Sequence, residues 1–166
     1  MVKFFKIEFV LIMQIHHDQF LKEQYIPLLE QINPHQVPHW GKMSYQHMLE
    51  HMIYSLEVSC QHQPVPCINE HERVTKMQTF LLSNMPFKEN TKSPILGEDL
   101  KPLIYECAEE ALQQLKEALH KYVKQYTEAD NVLVYHPIFG TLDKPLNDAL
   151  LYKHAVHHLK QFGVEL

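Results

Sequence analysis

Apolar positions recur at helical spacing in four long stretches of the chain and one shorter one. Around residues 16 to 32, Phe20, Tyr25, Leu28, Leu29 and Ile32 follow one another at spacings of one to five, and the pattern stops at "NPHQVP", where two prolines forbid continuation. The second stretch lies in "KMSYQHMLEHMIYSLEVS", with Ser44 as N-cap and Met48, Met52 and Leu56 along one stripe; it ends before "QPVP". A shorter helix is expected over 69–83, followed by the irregular segment "MPFKENTKSPILGED", too polar and interrupted for a strand. The clearest periodicity runs from Pro102 to about Tyr126, where Ile104, Ala108, Ala111, Leu115, Ala118, Tyr122 and Tyr126 recur every three or four residues with charges between them. After "NVLVYHPIFGTLDKP", in which "VLVY" reads as a short strand without an evident partner, a last helix is expected from about Leu146 to Phe162, ending at Gly163.

Four substantial helices joined by long connections predict an all-α fold, a four-helix bundle with at least one crossover. The length of 166 residues suits a single domain, and no repeat or polar linker divides the chain. Hydrophobic residues at 45%, charged residues at 21% and only four glycines match an ordinary globular protein rich in helix. The formal charge of −5, with no basic run interleaved with aromatics, leaves nucleic-acid binding without an electrostatic footprint. Cys60, Cys67 and Cys107 form no CxxC pair, and an odd number of thiols without a signal peptide fits a reducing, cytoplasmic setting. The opening "MVKFFKIEFVLIMQ" is apolar but broken by Glu8 and short of the roughly 20 residues of a membrane span, so no membrane anchor is expected. Met13 opens a more ordinary polar sequence, and residues 1–12 read as a mis-called extension ahead of it.

The chemistry concentrates in histidine, of which the chain has thirteen. In "YKHAVHHLKQFG", His154 and His158 lie four residues apart, about 40° around a helix axis, so both rings can reach one ion. His154 and His157, three apart, could also pair, and spacing does not choose. A third ligand must come from elsewhere. "QHMLEHM" offers His47 and His51, and His51 stands beside the Met48 and Met52 stripe, where a buried imidazole needs a partner for each nitrogen. Three neutral histidines with an open fourth position would suit a catalytic divalent ion, with zinc the usual candidate and nickel or iron compatible. The single ExxH, Glu117 to His120, falls short of a di-iron site. No GxSxG elbow, phosphate loop or GxGxxG is present.

The segments "WGKMSYQHMLEHM", "HPIFGTL" and "YKHAVHHLKQFG", in this order and separation, resemble the DinB/YfiT-like metalloenzyme superfamily, in particular a branch ending in KHxxHHxxQFG. The resemblance extends over residues 15 to 164 and implies a bacterial DinB-like four-helix bundle. One histidine of the second helix and an HxxxH pair of the last helix hold a divalent metal there, which carries over to His51, His154 and His158. His157 becomes a neighbour of the site. The tryptophan such sequences place between the "FG" turn and the last helix is missing from "DKPLNDALLYKH". Some relatives are S-transferases that join bacillithiol, mycothiol or glutathione to an electrophile, and others are metal-dependent hydrolases. The resemblance therefore implies a small-molecule substrate, a low-molecular-weight thiol as co-substrate, and pairing as a homodimer. Glu50, Glu57 and His136 are candidate acids or bases. The rival expectation is a non-catalytic bundle whose site is structural, binds a ligand, or is an empty hydrogen-bond network.

Overall fold

The computed structural model describes residues 15–91 and 99–166; the start suggested at Met13 and the extension before it lie outside the described residues. Among those residues the fold is mainly helical, with five helices and one two-stranded hairpin.

Helix α1 covers 15–30 and contains a π-helical turn, Phe20–Gln24, before its last segment, Tyr25–Glu30. Pro27 explains the wide turn: in a regular α-helix its ring would meet the carbonyl of Glu23, and it has no N–H to donate. The fully described α2, Tyr45–Val58, begins as its sequence dictates, with Ser44 Oγ accepting from the His47 N–H. Helix α3 spans His71–Leu81.

Helix α4, Ala108–Glu128, starts six residues later than the apolar spacing predicts. The physical reason lies in α2: the Glu50 carboxylate accepts from the backbone N–H groups of Ile104 and Tyr105 at 2.8 and 3.2 Å, and Gln46 Nε2 donates to the Tyr105 carbonyl. These bonds hold 104–105 against α2 and outside the helix, and Glu110 accepts from the Glu106 N–H at the start of the helix. Ile104, which the spacing places on the apolar stripe of this helix, is 80% exposed.

"VLVY" finds its partner just beyond a three-residue turn, 137–139. Strands β1, Val134–His136, and β2, Gly140–Leu142, pair antiparallel with His136 opposite Gly140. The hairpin is tied to α3 by Gln78 Nε2, which donates to the Phe139 and Thr141 carbonyls, and to the 61–69 connection by Asn69 Nδ2, which donates to the Ile138 carbonyl. Helix α5, Lys144–Gln161, opens on Asp143 as N-cap, with Pro145 in its first turn, and ends before Gly163.

Two apolar clusters meet on α5. The main one joins α1, α2 and α4 to Leu151, Ala155 and Leu159 of α5. The smaller one packs α3, the hairpin and Phe87 against Ala149 and Leu150. At the base of the main cluster a polar network is buried: Tyr122 Oη donates to Asp148 Oδ1 at 2.6 Å, and Lys144 Nζ bridges Asp148 and Asp18. No described helix is long and apolar enough to cross a membrane.

Candidate metal centre

Where the main cluster meets the smaller one, α2 contributes His51 and α5 contributes His154 and His158. Their position follows from the two stripes that bury these helices. Met48, Met52 and Leu56 fix the rotation of α2, while Leu151, Ala155 and Leu159 fix that of α5. The histidines stand at the edges of these stripes, with His158 buried and His51 and His154 half-buried.

The three rings turn the same atom inward. His51 Nε2 lies 2.9 Å from His154 Nε2, and His158 Nε2 lies 3.0 Å from the same atom. All three ligand atoms fall within 4.8 Å of one another. Bond lengths of about 2.0–2.1 Å around a tetrahedral ion separate ligand atoms by about 3.3 Å, so this spacing is that of a site able to hold one ion.

Hydrogen bonding alone does not account for the contact. An imidazole nitrogen has one in-plane position, occupied by either a proton or a lone pair, so His154 Nε2 can make one full hydrogen bond but has two nitrogen neighbours. His158 narrows the choice further. Its Nδ1 lies 2.8 Å from Gln161 Oε1, while Gln161 Nε2 donates to the Trp40 carbonyl at 2.8 Å. Reversing the Gln161 amide would set its oxygen against that carbonyl, so Oε1 accepts, His158 Nδ1 donates, and His158 Nε2 carries a lone pair. Lone pairs converging on one point suit a cation, and neutral imidazoles suit zinc, nickel or iron.

Electrostatics keeps the rings neutral. Burial, with smaller contributions from His157 and Lys101, pushes His51 down to about 4. Burial also holds His154 and His158 well below the ordinary histidine range, and each is further disfavoured as a cation by the neighbouring imidazoles.

The remaining histidines separate cleanly. His157 stands outside the cluster of ligand atoms, packing edge-on to Trp40, Phe87 and the His158 ring, and a hydrogen bond to the Phe87 backbone partly offsets the lowering of its pKa by burial. His47 belongs to the start of α2, with Nδ1 2.7 Å from Ser44 Oγ. His120 and Glu117 of the ExxH lie on the exposed face of α4. His136 accepts through Nδ1 from the Ile138 and Phe139 N–H groups, so its proton is on Nε2, and burial pushes it down to about 4. It is near enough for a charge there to disfavour protonation of His154.

Of the other candidate acids and bases, Glu50 is committed to backbone N–H groups and Glu57 is exposed. All three cysteines are free; burial raises the Cys60 thiol to about 11, which keeps it protonated, and Cys67 Sγ donates to the Ile138 carbonyl.

Sequence reasoning missed the neighbours of the centre. Phe87, within 6.1 Å of the His154 ring, lies in a segment read only as irregular. Trp40, whose ring centroid is 5.6 Å from that of His157, has an enclosed indole N–H without a partner. No protein-family model, no curated protein and no solved structure matches the chain.

Proposed function

We propose that the chain is a DinB-like four-helix bundle that holds a divalent metal ion on His51, His154 and His158 and acts on a small molecule as a thiol S-transferase or hydrolase. The observation that carries the metal reading is the approach of two Nε2 atoms to His154 Nε2, one of them a lone-pair atom by the Gln161 argument. When bound, such an ion lowers the pKa of a coordinated thiol or water and so supplies a nucleophile near neutral pH.

The protein's own contribution is to bind and orient. Phe87, Trp40 and His157 form an aromatic wall beside the three histidines. His136, neutral with its proton on Nε2 and its Nδ1 lone pair held by two backbone N–H groups, can donate a hydrogen bond from Nε2 but has no proton to transfer.

A second reading, metal or ligand binding without catalysis, is favoured by the engagement of Glu50 with the backbone, which removes the carboxylate next to His51 in the chain as a base. Elemental analysis of purified protein, followed by a conjugation screen with several low-molecular-weight thiols and electrophiles, separates the two. Stoichiometric metal with metal-dependent thiol consumption is the expected result. Stoichiometric metal without turnover of any thiol or ester would give the second reading precedence, and no metal after reconstitution would remove both metal readings.

A further inference from the structure

The last residue of α5 reaches the centre without offering a ligand atom to it. Gln161 is 4% exposed, and each of its polar groups has a partner. Oε1 accepts from His158 Nδ1 at 2.8 Å, Nε2 donates to the Trp40 carbonyl at 2.8 Å, and the backbone carbonyl accepts from the His39 N–H at 2.8 Å. The last bond is open to Gln161 because the final carbonyls of a helix have no partner within it. The fit on the other side is close: a Cβ at position 41, where Gly41 has φ +77°, would stand 2.9 Å from Gln161 Nε2. The turn at 39–41 is thus seated on one residue through two hydrogen bonds and a contact that excludes a side chain at Gly41.

We infer that Gln161 is the positioning residue of the centre, fixing the His158 ring in the tautomer that presents a lone pair at Nε2 and docking the 39–41 turn through the same amide. This rests on the reading of the three histidines as a metal site, but its first half concerns the metal-free protein and can be tested there. Neutral imidazole in water favours the proton on Nε2, the nitrogen that would have to ligate. An acceptor at Nδ1 reverses that preference and holds the ring plane. The amide does this only while its NH2 is anchored, since a freely turning amide could equally offer its donor to His158. Trp40 supplies that anchor, which makes the wall beside His157 and the orientation of His158 parts of one arrangement.

The experiment compares wild type with Gln161→Met, which keeps the side-chain length and loses both polar groups, and with Gln161→Glu, which keeps an acceptor. Two-bond proton–nitrogen NMR of the metal-free proteins reads the tautomer of His158, and competitive titration with zinc and cobalt reads affinity. In wild type the His158 proton is expected on Nδ1; in Gln161→Met it moves to Nε2, with metal affinity about 10- to 100-fold weaker. Gln161→Glu loses the bond to the Trp40 carbonyl but accepts with either oxygen, so it is expected to keep the proton on Nδ1 and to lose less affinity than Gln161→Met. An unmoved tautomer in Gln161→Met, or a loss in Gln161→Glu equal to that in Gln161→Met, would overturn the assignment. If Gln161→Met does not fold, Gln161→Glu decides alone: an Nδ1 proton supports the role, and an Nε2 proton overturns it. A wild-type protein that takes up no metal yet shows the tautomer change would end the metal reading while leaving the hold of Gln161 on His158 in place. Metal uptake with an unmoved tautomer would do the reverse.

Discussion

His51 and His154, separated by 103 positions in the chain, bring their Nε2 atoms to 2.9 Å. Nothing local creates that approach. It results from packing α2 and α5 into the same apolar cluster, so the centre is only as well formed as the contact between the two helices. The His154 and His158 pair, by contrast, is set by a single helical turn.

Removing any one of His51, His154 or His158 is therefore expected to abolish stoichiometric metal, whereas His157→Ala should retain it, because His157 faces Trp40 and Phe87. Thermal unfolding gives a second readout. An ion that binds only the folded state stabilises it by about 2.7 kcal/mol when free metal is 100 times Kd. Zinc should raise the Tm of wild type and of His157→Ala but not that of His154→Ala. Full metal content in His154→Ala and His158→Ala alike would refute the assignment of the site.

Acid should destabilise the metal-free protein well before its carboxylates titrate. Burial pushes His17 and His136 down to about 4, His51 likewise, and holds His154 and His158 well below the ordinary histidine range. Below the ordinary histidine value of about 6.5 the unfolded chain takes up protons that the folded chain refuses, so stability falls as pH falls. The window for His17, His51 and His136 runs from about 6.5 down to about 4; above it these groups are neutral in both states and contribute no slope. Urea titrations at pH 7.5, 6 and 5 should show a decreasing midpoint, and His17→Phe should flatten the decline. An unchanged midpoint across that range would contradict the burial of these imidazoles.

Tyr122→Phe tests the buried network beneath the main cluster. Tyr122 Oη gives Asp148 one of its two side-chain partners, and Lys144 gives the other. Burial raises the Asp148 carboxyl, with the hydrogen bonds from Lys144 and Tyr122 opposing it. Losing the phenol leaves a buried carboxylate less well solvated, at a cost of about 1–3 kcal/mol in unfolding free energy. Metal affinity should be unchanged, since neither residue contacts the histidines. Replacing Asp148 by Asn together with Tyr122 by Phe should recover part of the loss.

The sequence made the helices legible wherever one stripe of apolar residues met a cap. Ser44 and Asp143 both accept from the backbone of the helices they open. Legibility ended where a side chain from a distant element decided the backbone. Ile104 and Tyr105 carry the periodicity of α4, but Glu50 claims their N–H groups and delays the helix to Ala108. The hairpin was half visible: Val134 marked one strand, while Gly140 and Thr141 gave its partner no apolar signature. At the centre, spacing offered His154 a partner at either His157 or His158; the family resemblance pointed to His158, and the packing of α5 against α2 brings the His51, His154 and His158 ligand atoms together. Gln161 lay within the quoted motif, yet its link to Trp40 spans 121 positions and no local pattern announces it.

Lys153 provides the last test, because it fastens to α5 the segment that carries Phe87. The residue is 7% exposed, and Nζ donates to the Ser83 and Met85 carbonyls just beyond the end of α3, at 2.5 and 2.7 Å, with the Phe80 ring 5.1 Å away. A cation suits the carbonyl end of a helix, but among the described residues no carboxylate accompanies it, and burial lowers its pKa. Lys153→Met keeps the apolar stem and removes both bonds, so 83–91 should loosen while the helices stay in place. Hydrogen exchange is expected to accelerate at the amides of 83–91, with protection of α2 and α5 unchanged. Metal affinity should fall by less than in any ligand variant, since Phe87 stands beside His154 without binding the ion. Unaltered exchange over 83–91 would mean that the packing of Phe80 and Phe87, rather than Lys153, holds that segment over the centre.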